Sequence, residues 1–181
     1  SMDVSKAFVY AFYSRYSGVE AWHNKMKEMA EKEGKHVVGE DGLRSVTKQF
    51  TYQSETGRRY VFREYKSDYN PFKTHSFSPT ELKNYPVQGL ATGDIVPMML
   101  GVLFRELKDT PGVKLVNTVH DSILFDVSKE QAEDGIINRI KSILDNTHKY
   151  YQQTFGIPLD LKLTAGCSLG KNWYDMKKVG A

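Results

Sequence analysis

The sequence predicts an α+β fold with a small antiparallel sheet, and three observations lead to that prediction. Two apolar strand-like runs, 114–119 and 123–127, are separated by only three residues, which is typical of an antiparallel hairpin. Amphipathic helical patterns lie before and after that hairpin, within 86–108 and at 129–154. A last alternating run, 159–165, predicts a third strand, so that two helices cover a sheet made of the hairpin plus this C-terminal strand.

Composition excludes several classes of protein. The chain has 181 residues, of which 40% are hydrophobic and 26% charged, a balance typical of globular domains and not of disordered chains. It contains no run of about 18 apolar residues, so we expect no membrane partner. Its single cysteine, Cys167, cannot form an internal disulfide, and no Cys/His cluster suggests zinc. The first residues do not read as a signal peptide, so we expect an intracellular protein.

The beginning of the chain, residues 3–43, is predicted to be helical. Apolar side chains recur at helical spacing in two stretches, which are separated by Ser17-Gly18. Gly34 is a suitable C-terminal stop for the second helix. A short strand is predicted to follow at Val37-Val38.

Positive charge is concentrated between residues 44 and 83. This stretch holds eight basic and four acidic residues, while the whole chain carries a net charge of only +3. Eight Phe and Tyr residues are interleaved with the cations, in a stretch that reads as turns and short strands such as 59–63. Cations mixed with aromatics suit phosphate contact and base stacking, which predicts a nucleic-acid surface. The alternative is a solvated hairpin region whose aromatics pack beneath it.

The strongest candidate for a catalytic or metal-binding segment is His120-Asp121-Ser122, which lies between the two apolar strands. A tight turn there would hold the Asp121 carboxylate at the edge of the sheet. Mg²⁺ binds one or two hard oxygens of this kind and keeps its other positions for water and phosphates. The alternative is an ordinary hairpin, because Asp and Ser are favoured turn residues and His120 can simply bond to the backbone.

A second candidate site is the segment around Asn84 and Gln88. These residues are four apart, so in a helix their amides share a face and can contact base edges in the minor groove. The alternative is a helix cap followed by ordinary surface amides. Pro97 is predicted to kink or restart the helix. Asp94 is a possible second metal ligand, although an exposed or capping role is favoured, and Trp173 is expected to pack against the fold.

Three motifs occur in a fixed order along the chain. They are Asn-Tyr-Pro-Val-Gln-Gly-Leu-Ala at 84–91, Thr-Val-His-Asp-Ser-Ile-Leu-Phe-Asp-Val at 118–127, and Gly-Lys-Asn-Trp at 170–173. Together they closely resemble the C-terminal part of a family A DNA polymerase of the DNA polymerase I type. Pro97 and the many tyrosines resemble phage members of the family. The Thr-Gly-Arg-Arg run at 56–59 resembles the turn that precedes the palm in this family.

The resemblance implies three segments. Residues 3–43 would be the helical end of the fingers, 44–83 a basic aromatic strand and loop region, and 84–181 the C-terminal half of the palm. The small antiparallel sheet would then be of the palm type.

Particular residues take roles from the resemblance. Asp121 matches the catalytic carboxylate that binds the two Mg²⁺ ions, and His120 matches the histidine near the primer terminus. Asn84 and Gln88 match amides that contact the primer-template minor groove. The chain departs from the family at Thr80, where arginine is frequent.

Two further positions complete the predicted interface with DNA. Arg58 and Arg59, in the basic stretch, are predicted to bind nucleic acid. Ser122 is a second departure from the family, because cellular members commonly have glutamate at this position.

The resemblance also predicts what the chain needs from elsewhere. No residues match the family's first catalytic carboxylate or its nucleotide-binding fingers helix, so only one protein ligand of the two-metal site is expected here. We therefore expect the C-terminal portion of a template-directed DNA polymerase, inactive alone. Its predicted partners are primer-template DNA, deoxynucleoside triphosphates and the N-terminal polymerase part, in the cytoplasm (that of the host for a phage). One alternative is a non-catalytic nucleic-acid-binding module on the same scaffold, and another is an unrelated α+β domain.

Overall fold

The computed structural model describes residues 2–37, 47–66 and 75–179. Its elements form two compact units, residues 1–87 and 88–181. Both units combine helices with small antiparallel sheets, so the prediction of an α+β fold is confirmed. Val38, and residues 44–46 and 67–74 of the basic stretch, lie outside the described residues.

The described residues of the first unit form three helices and a four-stranded antiparallel sheet in the order β1-β2-β3-β4. Its elements are α1 (Met2–Arg15), α2 (Ser17–Glu33), β1 (Lys35–Val37), β2 (Thr47–Gln53), β3 (Arg59–Lys66), β4 (His75–Phe77) and α3 (Pro79–Gln88), the last residue of α3 belonging to the second unit. Ser78 caps α3, as its hydroxyl accepts the Glu81 amide at 3.3 Å.

The core of the first unit follows from the two-residue period of strands β2 and β3. Phe50 faces Phe62 across the ladder, their ring centroids are 6.0 Å apart, and both side chains are almost fully buried. Met26 and Ala30 of helix α2 and Leu82 of α3 pack into the same cluster. Because successive strand residues point to opposite faces, the residues between these aromatics form an exposed outer face.

The second unit begins with a π-helical turn and ends with a small hairpin. Its elements are the π-helical segment (Gly89–Ile95), α4 (Val96–Leu107), β5 (Val113–Val119), β6 (Ser122–Val127), α5 (Lys129–Glu133), α6 (Ile136–Asp145), α7 (Thr147–Phe155), β7 (Cys167–Leu169) and β8 (Lys177–Val179). Its core joins one face of α4 to one face of α6, through Met99, Val102, Leu103, Leu107, Ile136, Ile140 and Ile143. The inner side chains of β5 and β6, such as Leu115 and Phe125, pack against that core.

The predicted third strand of the palm-type sheet is wrong. Residues 159–165 form no strand, and β5 and β6 pair only with each other among the described residues. The Ala165 amide donates to Oδ1 of Asp145 at 3.1 Å, so a side chain, not a strand, takes this backbone donor. The last strands, β7 and β8, pair with each other and form a separate sheet.

The predicted helix at 129–154 is divided into three. Gly135 has φ 81°, a left-handed conformation that ends the run of helical residues after α5. Asn146 separates α6 from α7. Near Pro97 the helical backbone continues: a π-helical turn ends at Ile95, α4 begins at Val96, and Pro97 lies in the first turn of α4. The predicted kink or restart at Pro97 stays a prediction.

Helical residues from Pro79 to Leu107 are, by length and composition alone, apolar enough to cross a membrane. Core helices of globular domains pass the same test. In this chain Met99, Leu103 and Leu107 of that stretch are buried in the core of the second unit.

Candidate functional site

His120 and Asp121 form the tip of the β5–β6 hairpin. Val119 pairs with Ser122, which leaves a two-residue loop, shorter than the three-residue turn of the sequence pattern. His120 has φ 55° and is the one described non-glycine residue with positive φ. A side chain in this region costs about 1–3 kcal/mol and is maintained at functional sites more often than elsewhere.

The Asp121 carboxylate is exposed at this tip. Among the described residues it has no hydrogen-bond or ion-pair partner, so its oxygens are accessible to a ligand. The described residues contain no group of three or more His, Cys, Asp or Glu side chains placed to hold a metal ion. A single accessible carboxylate fits Mg²⁺, which takes one or two protein carboxylates and otherwise binds water and phosphate oxygens.

The hairpin that carries Asp121 is anchored at its base and irregular in its middle. At the base, Leu115 and Phe125 face each other and pack on the core of the second unit. The register then shifts between Leu115 and Asn117, so that Val116 is an extra, half-exposed residue. A bulge of this kind increases the local twist and re-aims the residues beyond it, which here are those of the tip.

The two predicted amides lie one helical turn apart in α3. Both Asn84 and Gln88 are exposed. Gln88 falls in the second unit with Asp121, whereas Asn84 falls in the first. The Gln88 carbonyl accepts the hydroxyl of Thr92 at 2.9 Å, which ties it to the π-helical turn.

Asp94 lies in the π-helical turn and does not have the exposed role that the sequence favoured. Only 8% of its surface is accessible. π-Helical turns occur frequently at functional sites. The sequence gives no signal for this turn apart from Pro97, which lies two residues beyond it.

The two predicted arginines lie at the start of strand β3. Arg58 ends the β2–β3 turn, Arg59 begins the strand, and both are exposed. The outer face of the hairpin places Arg59 opposite Gln53 and Arg63 opposite Gln49. Arg63 was not among the predicted binding residues, although the alternation at 59–63 places it on the same face as Arg59. The result is an exposed surface of guanidinium and amide groups.

A polar cleft of about 410 Å³ lies in the first unit, between α2 and the start of α3. Its lining includes His23, whose Nδ1 is 3.0 Å from the hydroxyl of Tyr13. Partial burial, and secondarily the positive charge of Lys83, lower the pKa of His23. A neutral imidazole can share a hydrogen bond with Tyr13, so this contact joins α1 to α2.

The tail of the chain also differs from expectation. Trp173 was expected to pack, but 64% of its surface is accessible, and Tyr174 next to it is 97% accessible. The sequence signal for this surface is the Gly-Lys-Asn-Trp motif at 170–173, which resembles the family but does not by itself indicate exposure.

Comparison with known proteins places these features in a family. The model of DNA polymerase family A matches residues 1–175, which is nearly the whole chain. The chain belongs to DNA polymerase family A. The predicted family is therefore confirmed, and the match includes the hairpin tip, the amides and the arginines described above.

A second comparison gives a named relative within the family. DNA polymerase I of Aquifex aeolicus (strain VF5) is 26% identical over 151 residues, which cover 82% of this chain and 20% of that protein. The chain thus spans about one fifth of the length of this relative. No match was found among solved structures.

Proposed function

We propose that the chain supplies the Asp121 part of the active site of a template-directed DNA polymerase. The observation that carries this proposal is an exposed carboxylate, without a partner among the described residues, beside His120 with positive φ on a hairpin tip. The tip lies within the family A match over residues 1–175. Family A membership supports nucleotidyl transfer as the reaction and an intracellular location. Primer-template DNA and deoxynucleoside triphosphates are the substrates that follow.

Each residue of the site has a distinct proposed role. Asp121 would hold Mg²⁺ with one carboxylate oxygen or both. Bound Mg²⁺ stabilises the charge that develops on the attacking and leaving oxygens. His120, fixed by its backbone conformation, would lie beside the primer terminus and hold it in place. The amides of Asn84 and Gln88 would donate to acceptors in the minor groove, where contact is nearly independent of sequence.

Phosphate contacts are proposed for the arginines of β3. Arg58 and Arg59 are exposed, and a guanidinium can bind a phosphate through two parallel hydrogen bonds. Interaction with phosphates carries affinity but no sequence information, as a polymerase requires.

We expect residues 1–181 alone not to extend a primer. Two-metal phosphoryl transfer uses carboxylates that clamp both ions, and Asp121 is the one carboxylate the family motif assigns here. The remaining ligands and the nucleotide-binding helix would come from another part of the polymerase. That part is the proposed protein partner.

The experiment is complementation. The chain is mixed with a polypeptide that carries the family's first catalytic carboxylate and fingers helix, and Mg²⁺-dependent primer extension is measured. Asp121→Ala should lower extension by more than about a hundredfold, the order expected when one preorganised electrostatic group is lost. Asp126→Ala is the matched control, since Asp126 is an exposed carboxylate on strand β6 of the same hairpin. Equal activity of the two variants would contradict the proposed role of Asp121.

A second candidate function is a non-catalytic nucleic-acid-binding module, favoured by the exposed basic face of β2 and β3. Binding to primer-template DNA should weaken steeply with salt, and replacing Arg59 by Gln should reduce that salt slope by about one. DNA binding with no extension under any complementation would favour this second function.

A further inference from the structure

The hairpin formed by β7 and β8 presents two aromatic side chains to solvent. Trp173 is 64% exposed and Tyr174 is 97% exposed. Aromatic residues usually bury most of their large surface, so two adjacent exposed ones mark a binding surface more often than a simple loop. Neither residue belongs to the proposed polymerase site.

The loop that carries them is held in one shape. The side-chain oxygen of Asn172 accepts the amides of Tyr174 at 2.9 Å and Asp175 at 3.0 Å. The side-chain nitrogen of Asn172 donates to the carboxylate of Asp175 at 2.6 Å. At Gly170 a Cβ atom would come within 2.8 Å of the Asp175 backbone, so no side chain fits there. The backbone that carries the aromatics is therefore held in a tight loop, so little backbone entropy is lost on binding.

Three lysines flank the two aromatic residues in the sequence. Lys171 precedes them, and Lys177 and Lys178 follow in strand β8; all three are exposed. Among the described residues none of these lysines has a carboxylate within 4 Å, and the one acidic residue of the loop, Asp175, is engaged by Asn172. The loop thus combines stacking surfaces with cations that have no ion-pair partner in the described structure.

We infer that the loop 170–176 with its flanking lysines is a binding site for unpaired nucleotides of a nucleic-acid strand. Bases stack on aromatic rings while nearby cations follow the phosphates, and every base offers a ring face, so such binding tolerates any sequence. A protein interface is less well matched, since lysine is depleted at the centres of such interfaces. The inference rests on the proposed function for the chemical class of the ligand and adds a site separate from Asp121.

The first test uses tryptophan fluorescence of the full 181-residue chain. The chain has two tryptophans, so Trp22→Phe leaves Trp173 as the sole reporter. Addition of short oligo(dT) should quench Trp173 emission in a saturable manner, because a base stacks directly on the exposed indole. Saturable binding without any change in Trp173 emission would overturn the inference. If Trp22→Phe does not fold, the affinity measurement below is made in the parent chain.

The second test compares affinities for labelled oligo(dT) by fluorescence anisotropy. The double substitution Trp173→Ala with Tyr174→Ala should weaken binding about tenfold or more, whereas Trp173→Phe with Tyr174→Phe should stay near the parent. Phe104→Ala is the matched control, since Phe104 is a 61% exposed aromatic of the same unit. Both Trp173 and Tyr174 are exposed, so these variants should keep their fold.

The outcomes separate this inference from the polymerase proposal. Parent-like oligo(dT) affinity in the double alanine variant, together with normal complemented extension, overturns only the loop site. Loop-dependent oligo(dT) binding without extension under any complementation overturns only the polymerase role. Loss of self-association in the double alanine variant, with no oligo(dT) binding by the parent, would show a protein contact and overturn the inference.

Discussion

Each unit contains an antiparallel hairpin, and the two hairpins reverse the chain with different kinds of turn. The β2–β3 hairpin turns through residues 54–58, where the Ser54 amide donates to the Arg58 carbonyl and the Gly57 amide to the Ser54 carbonyl, both at 2.9 Å. Its positive φ of 86° falls on Gly57. The β5–β6 hairpin turns through only His120 and Asp121, and its positive φ of 55° falls on a histidine.

The two turns differ in where the left-handed backbone conformation falls, on glycine in one and on histidine in the other. Glycine adopts positive φ at no steric cost, so the first hairpin carries no strain at this position. A histidine at the same kind of position raises the free energy of the folded state, and strain of this type collects at active sites. The comparison thus supports the assignment of His120 and Asp121 independently of the family motif.

The largest effects are expected in the cores that support the two hairpins. Phe62→Ala removes an almost fully buried ring under the first hairpin and should lower the free energy of unfolding by about 3–5 kcal/mol. Leu103→Ala, at 0% exposure in the second unit, should lower it by about 2–5 kcal/mol. Chemical denaturation followed by circular dichroism measures both values.

The exposed Phe104 provides the control for these core substitutions, because Phe104→Ala should change the free energy of unfolding by less than about 0.5 kcal/mol. If Phe62→Ala lowers the free energy of unfolding by no more than Phe104→Ala does, the Phe50–Phe62 cluster does not stabilise the first hairpin.

The next effects concern the turns themselves. Gly57→Ala should destabilise the protein by about 1 kcal/mol, because a Cβ at positive φ is strained although open space surrounds the position. Gly57→Asn should cost less, since asparagine tolerates this backbone region. His120→Gly should be close to neutral, as relief of strain is offset by the greater entropy of the unfolded chain.

Primer extension provides a second comparison of the His120 turn with the Gly57 turn. His120→Gly should reduce complemented primer extension while leaving the free energy of unfolding nearly unchanged, whereas Gly57→Ala should do the reverse. Thermal denaturation and extension assays on the same preparations give both readings. Unchanged extension in His120→Gly would show that the strained histidine serves the turn and not the reaction.

Local patterns made much of the fold predictable. Strands β5 and β6 and helix α4 follow from apolar periodicity, because each of these signals lies within one element. The predicted third strand does not form, and at its last residue the hydrogen-bond partner is distant in sequence. The run 159–165 alternates like a strand, but the Asp145 carboxylate, 20 residues away, takes the Ala165 amide, and no pattern within 159–165 contains that information.

For the candidate site, the sequence indicates which residues to consider but not their backbone conformation or exposure. The sequence indicates Asp121 and His120 twice, by their place between two apolar strands and by a family motif, and their roles stay predictions. The positive φ of His120 appears only in three dimensions. Trp173 was misjudged because tryptophan is most often buried. The loop that carries it closes with Gly170 next to the Asp175 backbone, a contact that a sequence pattern does not reveal.

The smallest expected effect is a pH-dependent one, in the segment that takes the place of the third strand. Asp145 accepts hydrogen bonds from the Lys141 ammonium at 2.7 Å and from the Ala165 amide at 3.1 Å. The lysine bond first, and the amide bond second, lower the pKa of Asp145, while the same lysine bond raises the pKa of Lys141.

The direction of the pH dependence follows from these shifts. Because the pKa of Asp145 is lower in the folded state, its contribution to stability is complete above its unfolded pKa of about 4 and is lost as the pH falls through the folded value. The contribution of Lys141 is complete below its unfolded pKa of about 10 and is lost as the pH rises through its raised folded value.

The hydrogen bond from the Ala165 amide to Asp145 should therefore weaken on acidification below about pH 4. Its amide chemical shift, followed by NMR, should move with the titration of Asp145, and Asp145→Asn should abolish that step. If the pH-dependent change in the Ala165 amide shift persists in Asp145→Asn, another titrating group causes it. That result would contradict the hydrogen bond from the Ala165 amide to the Asp145 carboxylate.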